Sequence, residues 1–162
     1  MPSRRMETAG PHRYVAALLL TGSILAWGLP SAAGEIAGVV RSSQGSVTVT
    51  RGEEVFPAKP GVRLIVGDLL STGSDGSMGV IFRDDSTLSL GPDSSLVLRE
   101  FLFSPADRKL GLVASLTRGT MAYLSGLLGK LAPETVRFET PVATIGIRGT
   151  RFAVKAGEPS SR

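Results

Sequence analysis

The sequence predicts an all-β fold, on three observations. Apolar residues recur at every second position along most of the chain, the spacing that places side chains on one face of a β-strand. Turn signals built from Gly, Pro, Asp and Ser follow one another about every eight to ten residues. Helical spacing extends over one short stretch. We therefore expect a single domain of short strands, arranged as a twisted β-roll, a short β-helix or a sandwich.

Length and composition agree with one modest globular domain. The chain has 162 residues, of which 42% are hydrophobic and 20% charged, values that disordered and fibrous chains do not have. Cysteine is absent, which excludes disulfides and thiolate metal sites. Stability must therefore come from the apolar core alone.

Residues 1–33 have the features of an export signal. Three arginines precede an apolar run at residues 14–29, and small residues then lead to a cleavage site after Ala33. If it stayed uncleaved, this run would act as a membrane anchor, but its 16 residues fall short of the roughly 20 that a span needs. We therefore expect a bacterial protein that is periplasmic or secreted, with membrane contact only through an uncleaved segment.

Removal of the signal also removes the residues that most catalytic sites require. His12 and Trp27 both lie within it, so residues 34–162 contain no His, Trp or Cys. Ser-His and Cys-His nucleophilic sites and histidine zinc sites are thereby excluded. Three of the 18 basic and one of the 14 acidic residues lie in the signal, which leaves a net charge of +2. Because the basic residues are scattered, we expect no nucleic-acid partner.

Paired carboxylates are the remaining enzymatic possibility. Glu53-Glu54 and Asp84-Asp85 are adjacent pairs at predicted turn tips, where we expect solvated side chains that do not meet in a cleft. No dense calcium-binding loop of the D-x-D-x-D/N-G kind is present. The sequence therefore predicts no catalytic residue, no metal and no cofactor.

The strands can be assigned in order along the chain. Residues 47–50 and 54–56 flank a turn at Arg51-Gly52-Glu53 and predict a hairpin. A short apolar strand follows at 62–66, and a turn-rich segment at 71–77 comes after it.

A meander is predicted from Met78 to Phe103. Turns at residues 83–85 and 91–93 separate three alternating runs, whose apolar members are Met78, Val80, Phe82, Leu88, Leu90, Leu96 and Leu98. Another strand is expected at 110–116. Between residues 124 and 131, leucines at helical spacing favour a short helical turn, which Gly126 and Gly129 weaken.

One short motif occurs twice. An Arg-Gly-Thr sequence at residues 118–120 returns at 148–150, and at each copy the apolar alternation jumps by an odd number of residues. At the first copy the jump runs from Leu116 to Met121, which strict alternation would place on opposite faces. One extra residue in the strand restores a common face, so we predict a bulge or tight corner at each copy.

The residues of these corners are the candidate structural and binding residues. Gly119 and Gly149 are expected to take backbone angles that other residues resist. Arg148 and Arg151 place two guanidinium groups beside the second corner, where they either bind an anion or partner or hydrogen-bond carbonyl groups of the corner itself.

Residues 140–152, TPVATIGIRGTRF, closely resemble the closing signature of the FecR domain family. The resemblance extends upstream through Gly67-Asp68, the segment 82–86 and the segment 91–94. It implies a FecR-like β domain at 39–155, followed by a disordered tail at 156–162. The family resemblance further implies a non-catalytic extracytoplasmic module that takes part in sensing or in envelope protein contacts.

Two departures from the family limit what the resemblance implies. Only 13 residues precede the apolar run, so we do not expect the cytoplasmic sigma-factor-binding domain of the family's regulators. Members usually continue with another strand pair after the closing motif. The strand at 152–155 is therefore expected to have an uncapped edge, or one covered by a partner or a further C-terminal segment.

The expected function is therefore protein–protein contact in envelope signalling or assembly, and not the chemistry of an enzyme. A partner strand could bind the edge at 152–155 by β-augmentation. The alternative is a periplasmic sensor of a small ligand, such as an iron chelate or an organic anion. The sequence leaves the identity of the partner and the oligomeric state open.

Overall fold

The computed structural model of the protein describes residues 34–147 and 149–157. The predicted signal at 1–33, Arg148, and most of the predicted tail lie outside the described residues. Within them, no helix has the length and apolar character needed to cross a membrane.

β-Strands make up most of the described chain, which confirms the predicted all-β class. The twelve strands of these residues are β1 (Ile36–Gln44), β2 (Val47–Arg51), β3 (Glu54–Pro57), β4 (Arg63–Ile65), β5 (Leu69–Thr72), β6 (Ser77–Phe82), β7 (Thr87–Leu90), β8 (Ser95–Ser104), β9 (Lys109–Leu124), β10 (Val136–Thr140), β11 (Ala143–Gly146) and β12 (Arg151–Ala156). A single α-helical turn, α1 (Leu128–Leu131), and two 3-10 turns at Pro105–Asp107 and Pro133–Thr135 complete the described elements.

These strands form one continuous curled sheet, a half-barrel. Its strand order is β3-β2-β5-β8-β9-β7-β6-β1-β4, and β10, β11 and β12 join it through β9. Neighbouring strands are antiparallel except for β9 and β10, which are parallel. The predicted hairpin is confirmed as β2 and β3, with Arg51 opposite Glu54 across the turn.

The long strand β9 connects the two parts of the sheet. Its 16 residues pair first with β8 and β10, and from Gly119 onward with β12 and β7. The pairing with β8 shifts register where Ser95 opposes Arg118 and Leu96 opposes Leu116, so an extra residue is present here. Gly119 has a φ of 89°, and a Cβ at this position would overlap Ser94. This local geometry explains how both Leu116 and Met121 reach the core.

The core lies against one face of the sheet. Its buried apolar side chains come from alternating positions of the strands and include Val40, Val49, Leu70, Val80, Leu88, Leu96, Leu112, Leu116 and Val136. An aromatic cluster joins β9, β10 and β12, since the rings of Tyr123, Phe138 and Phe152 have centroids 4.8 to 5.7 Å apart. These tilted contacts tie the last strand to the core.

The predicted pair of solvated aspartates was wrong for Asp84. Its side chain is fully buried, and its carboxylate accepts hydrogen bonds from the Ser86 hydroxyl at 2.6 Å and from the Leu128 backbone N–H at 3.1 Å. The reason is tertiary: the start of α1 folds over the turn, so the carboxylate satisfies a backbone donor that has no partner within the helix. Asp85 stays exposed, as do Glu53 and Glu54.

The leucines at helical spacing do not form one buried face. The helix is limited to Leu128–Leu131, and Leu124 belongs to β9. Leu128 alone is buried, whereas Leu124, Leu127 and Leu131 are between 39% and 55% exposed. Gly126 is required by close packing, because a Cβ there would overlap the backbone carbonyl of Asp84.

A second buried carboxylate, Asp68, was not predicted from the sequence. Its carboxylate accepts hydrogen bonds from Nε and Nη2 of Arg51, each at 2.8 Å, and from the backbone N–H of Ile65 at 2.9 Å. Asp68 is fully buried, while the Arg51 side chain is 37% exposed and lies over the Phe56 ring. The hydrogen bonds to Asp68 raise the pKa of Arg51. This bidentate ion pair connects β2 to the start of β5.

Candidate functional site

The most distinctive surface of the described chain is the edge formed by β12. This strand pairs with β9 in antiparallel register, from Arg151 opposite Leu124 to Ala156 opposite Gly119. No other strand of the described residues pairs with its far side. β12 therefore presents a free edge along six residues.

Local sequence explains how β12 is oriented. Phe152 and Val154 are half-buried and pack against the core, whereas Arg151, Ala153 and Lys155 are exposed on the outer face. The alternation of apolar and exposed residues is the pattern of a strand with one buried face. Phe152 anchors the strand through its contacts with Tyr123 and Phe138.

The alternation of hydrogen bonds along the ladder between β9 and β12 determines which backbone groups of β12 have no partner in β9. The Ser125 N–H donates to the Thr150 carbonyl at 2.7 Å, immediately before the paired residues of β12. Because hydrogen-bonded and non-hydrogen-bonded pairs alternate in an antiparallel ladder, the backbone groups of residues 152 and 154 point towards β9. Those of Arg151, Ala153 and Lys155 consequently point to the free edge. The Thr120 carbonyl, opposite Lys155, accordingly accepts from Gly91 on the other side of β9.

The three other strands that have a single partner in the described part of the chain are shorter than β12. β4 has three residues, β11 has four, and β3 has four and ends in Pro57. Short strands and edge prolines are features that prevent strand addition. β12 has six residues and no proline, so it is the one of these four strands best suited to receive another strand.

A shallow depression of about 450 Å³ lies beside this edge. Its floor is a row of small exposed side chains from three adjacent strands, in which Ser89 of β7 opposes Ala122 of β9 and Ala122 opposes Ala153 of β12. Small side chains in consecutive strands leave the outer face of the sheet open at this point.

Basic side chains flank the row of small residues. Arg151 lies at one end, opposite Leu124, and Lys155 lies at the other, opposite Thr120. A neighbouring depression of about 510 Å³ contains Arg118 and Lys155, with Asp93 as its acidic member. Among the described carboxylates, none forms an ion pair with Arg151 or Lys155. The outer face beside β12 is therefore positively charged.

The predicted candidate residues fall at the two ends of β12. Arg151 is exposed at its start, and Gly149, with a φ of 132°, lies in the connection from β11. Gly119 opposes Ala156 at the other end, so β12 runs between the two corners. Arg148 lies outside the described residues, and the predicted arginine pair is described here by Arg151 alone. Arg118 was missed as a site residue. Lys155 was predicted only as the end of the edge at 152–155, although the spacing of 151, 153 and 155 already indicates a common face.

Among the described residues, one buried side-chain polar atom lacks a hydrogen-bond partner. The Tyr123 hydroxyl is buried and has no hydrogen-bond partner in good geometry. Burial raises the pKa of Tyr123 to about 12, and the nearby Asp84 adds to the rise while the Ser86 hydroxyl opposes it. The Tyr123 side chain faces the core, because Tyr123 alternates along β9 with the exposed Ala122 and Leu124. No group of three or more metal-ligating side chains occurs among the described residues.

Comparison with known proteins identifies the family of the chain. A family model described as FecR protein matches residues 68–162. The chain belongs to the FecR protein family. The resemblance noted in the sequence is thereby confirmed, and the match includes β5 to β12, with the free edge and its depression. Neither a curated protein nor a solved structure matches the chain. The FecR family is regulatory, which indicates a signalling-related module.

Proposed function

We propose that this FecR protein is a non-enzymatic extracytoplasmic module that acts through protein–protein contacts in envelope signalling or assembly. The observation that carries the proposal is the free edge of β12, which extends over six residues without a proline. An extended segment of a partner adds to such an edge by backbone hydrogen bonds, and its side chains provide specificity.

Backbone and side-chain geometry both support strand addition. The outward backbone groups belong to Arg151, Ala153 and Lys155, which are regularly spaced along the strand. Phe152 and Val154 are half-buried, so an added strand would cover apolar surface that is still exposed to water. Both contributions are available without a change in the fold.

The extracytoplasmic location is supported by family membership and by the predicted signal at 1–33. FecR proteins are associated with the cell envelope. Cleavage after Ala33 would leave the described domain free in the periplasm or outside the cell.

A small-ligand sensor remains the second proposal, with less support. None of the buried polar side chains among the described residues lines the depressions beside β12. A small anion would depend on exposed cations such as Arg151, and exposed ion pairs are weak. A partner strand, in contrast, gains backbone hydrogen bonds and apolar burial together.

The test replaces one outward backbone donor. Ala153→Pro removes an N–H that points to the free edge and leaves the ladder with β9 unchanged, whereas Ala153→Val keeps the N–H and serves as the matched control. A photo-crosslinking residue at Gly157, which is exposed just after β12, would report partners in the native envelope.

We expect the Ala153→Val protein to form a discrete adduct with an envelope protein and the Ala153→Pro protein to lose it, at equal thermal stability. Identical adducts from both variants would contradict strand addition at β12. Calorimetry against citrate and ferric citrate tests the sensor. Binding that survives Ala153→Pro and disappears in Arg151→Ala would favour the sensor over the strand-addition module.

A further inference from the structure

We infer that the strand received by β12 is acidic and comes from a different protein rather than from a second copy of this chain. The inference rests on the proposed function and specifies the chemistry of the partner. The partner strand carries carboxylates opposite Arg151 and Lys155, and apolar side chains opposite Phe152 and Val154.

The charge on β12 selects the outer face of the partner strand. Arg151 and Lys155 are exposed on the same face with Ala153 between them, and four strand residues span about 13 Å. Neither cation is paired with a described carboxylate. Side chains directly opposite across two strands lie roughly 5 Å apart, so a partner carboxylate at each position would form a cross-strand ion pair.

The alternation of backbone hydrogen bonds along β12 determines which pairs of the new ladder contain these charges. Because the backbone groups of Arg151 and Lys155 point outward, the partner residues opposite them form the hydrogen-bonded pairs of the new ladder. The partner residues opposite Phe152 and Val154 form the non-hydrogen-bonded pairs, in which side chains approach more closely. Apolar contacts on the inner face and ion pairs on the outer face therefore require the same register.

A second copy of the chain does not have this pattern. Antiparallel self-pairing centred on Ala153 places Arg151 opposite Lys155 at both ends, and like charges directly opposite are destabilising. A shift of two residues moves the cations to diagonal positions, roughly 7–8 Å apart, which long side chains still reach. Parallel pairing in register would place Arg151 and Lys155 beside the same residues of the second copy, so like charges would again be neighbours.

The neighbouring surface has the same charge preference. Arg118 lies beside Lys155 in the adjacent depression and adds a third cation, which Asp93 opposes in part. The row of small residues Ser89, Ala122 and Ala153 leaves space above the sheet for long acidic side chains. A neutral strand would use the backbone of β12 and leave these cations unpaired.

The experiment measures peptide binding to the full chain by fluorescence anisotropy. Two labelled peptides carry valine at the inner-face positions and either glutamate or lysine at the two positions that oppose Arg151 and Lys155. Two cross-strand ion pairs correspond to an affinity ratio of about 2- to 30-fold. We expect the glutamate peptide to bind about 10-fold more tightly, and the preference to reverse in the variant Arg151→Glu, Lys155→Glu.

Failure of this inference can be separated from failure of the proposed function. Equal binding of both peptides that is abolished by Ala153→Pro would overturn the acidic partner and leave strand addition intact. A glutamate preference that persists in Ala153→Pro would overturn both, because the cations would then act without a new ladder. Binding of neither peptide would count against both.

Self-association supplies an independent readout. In Arg151→Glu the register centred on Ala153 places glutamate opposite Lys155, so this single variant becomes self-complementary. By sedimentation, we expect it to form dimers at concentrations where the unmodified chain is monomeric, and Ala153→Pro to abolish them. Dimers of the unmodified chain that Ala153→Pro abolishes would overturn the exclusion of a second copy.

Discussion

Replacement of Arg51 by methionine tests the buried ion pair that connects β2 to β5. The methionine keeps an apolar chain near the Phe56 ring but removes the two N–H groups that reach Asp68 at 2.8 Å. Asp68 is then a fully buried carboxylate that keeps only the Ile65 N–H. Breaking a buried pair in this way costs roughly 3–5 kcal/mol. Because the Arg51 side chain is 37% exposed, we expect the lower end, about 3 kcal/mol.

The reciprocal substitution should cost less. In Asp68→Asn, Arg51 keeps its hydrogen bond to the Arg63 carbonyl at 2.8 Å and is otherwise open to water, and the amide oxygen still accepts one hydrogen bond, so we expect a loss of about 1–1.5 kcal/mol. The double variant should be more stable than Arg51→Met alone, because no unpaired charge stays buried. This asymmetry follows from the burial of one partner and the exposure of the other.

Urea unfolding followed by circular dichroism measures these differences, and equal m-values confirm that the variants unfold alike. Arg63→Met is the matched control, since this exposed arginine in β4 should change stability by less than about 0.5 kcal/mol. A cost below about 1 kcal/mol for Arg51→Met, or a double variant no more stable than it, would refute the reasoning.

Three further predictions concern single residues. Burial raises the pKa of Tyr123 from 10.0 to about 12, so stability should fall progressively as the pH rises between these values. In Tyr123→Phe, the urea midpoint of unfolding should fall less over this pH range. An unchanged dependence of the midpoint on pH would disprove the prediction. Gly119→Ala should destabilise by about 1–2 kcal/mol or more in thermal unfolding, from its positive φ and the overlap with Ser94, whereas Gly146→Ala, with open space around it, should be nearly neutral. The hydrogen bond from the Ser46 backbone N–H lowers the pKa of Asp75 from 3.8. The stability that the ionised Asp75 contributes is therefore present above pH 3.8 and is lost as the pH falls through the pKa of the folded state. Asp75→Asn should be less stable than the unmodified chain at neutral pH, and the two stabilities should converge in acid.

The strands were predictable because their signal is local. Alternation at Met78, Val80 and Phe82 predicted the buried face of β6, and the odd jump from Leu116 to Met121 pointed to the corner at Gly119. A strand with one buried face must alternate, so this information is present in a few consecutive residues.

The buried carboxylates were not predictable, because their environment comes from distant segments. Asp84 looks like an ordinary turn residue until the Leu128 N–H, 44 positions later, reaches it. Asp68 likewise depends on Arg51 from another strand. Turn signals report local backbone preference and carry no information about which segment folds over the turn.

By itself, the sequence determined the all-β class, the FecR family and the positions of most strands, since each depends on short-range patterns. The family resemblance already predicted an uncapped edge at 152–155, and only the tertiary structure decided which strand β12 pairs with and which of its backbone groups point away from that partner. The pairing of β12 with β9 on one side, and with no described strand on the other, depends on how the whole sheet curls. That arrangement brings Arg151 and Lys155 to an open edge, because strand neighbours are determined by long-range packing and not by the alternation within a strand.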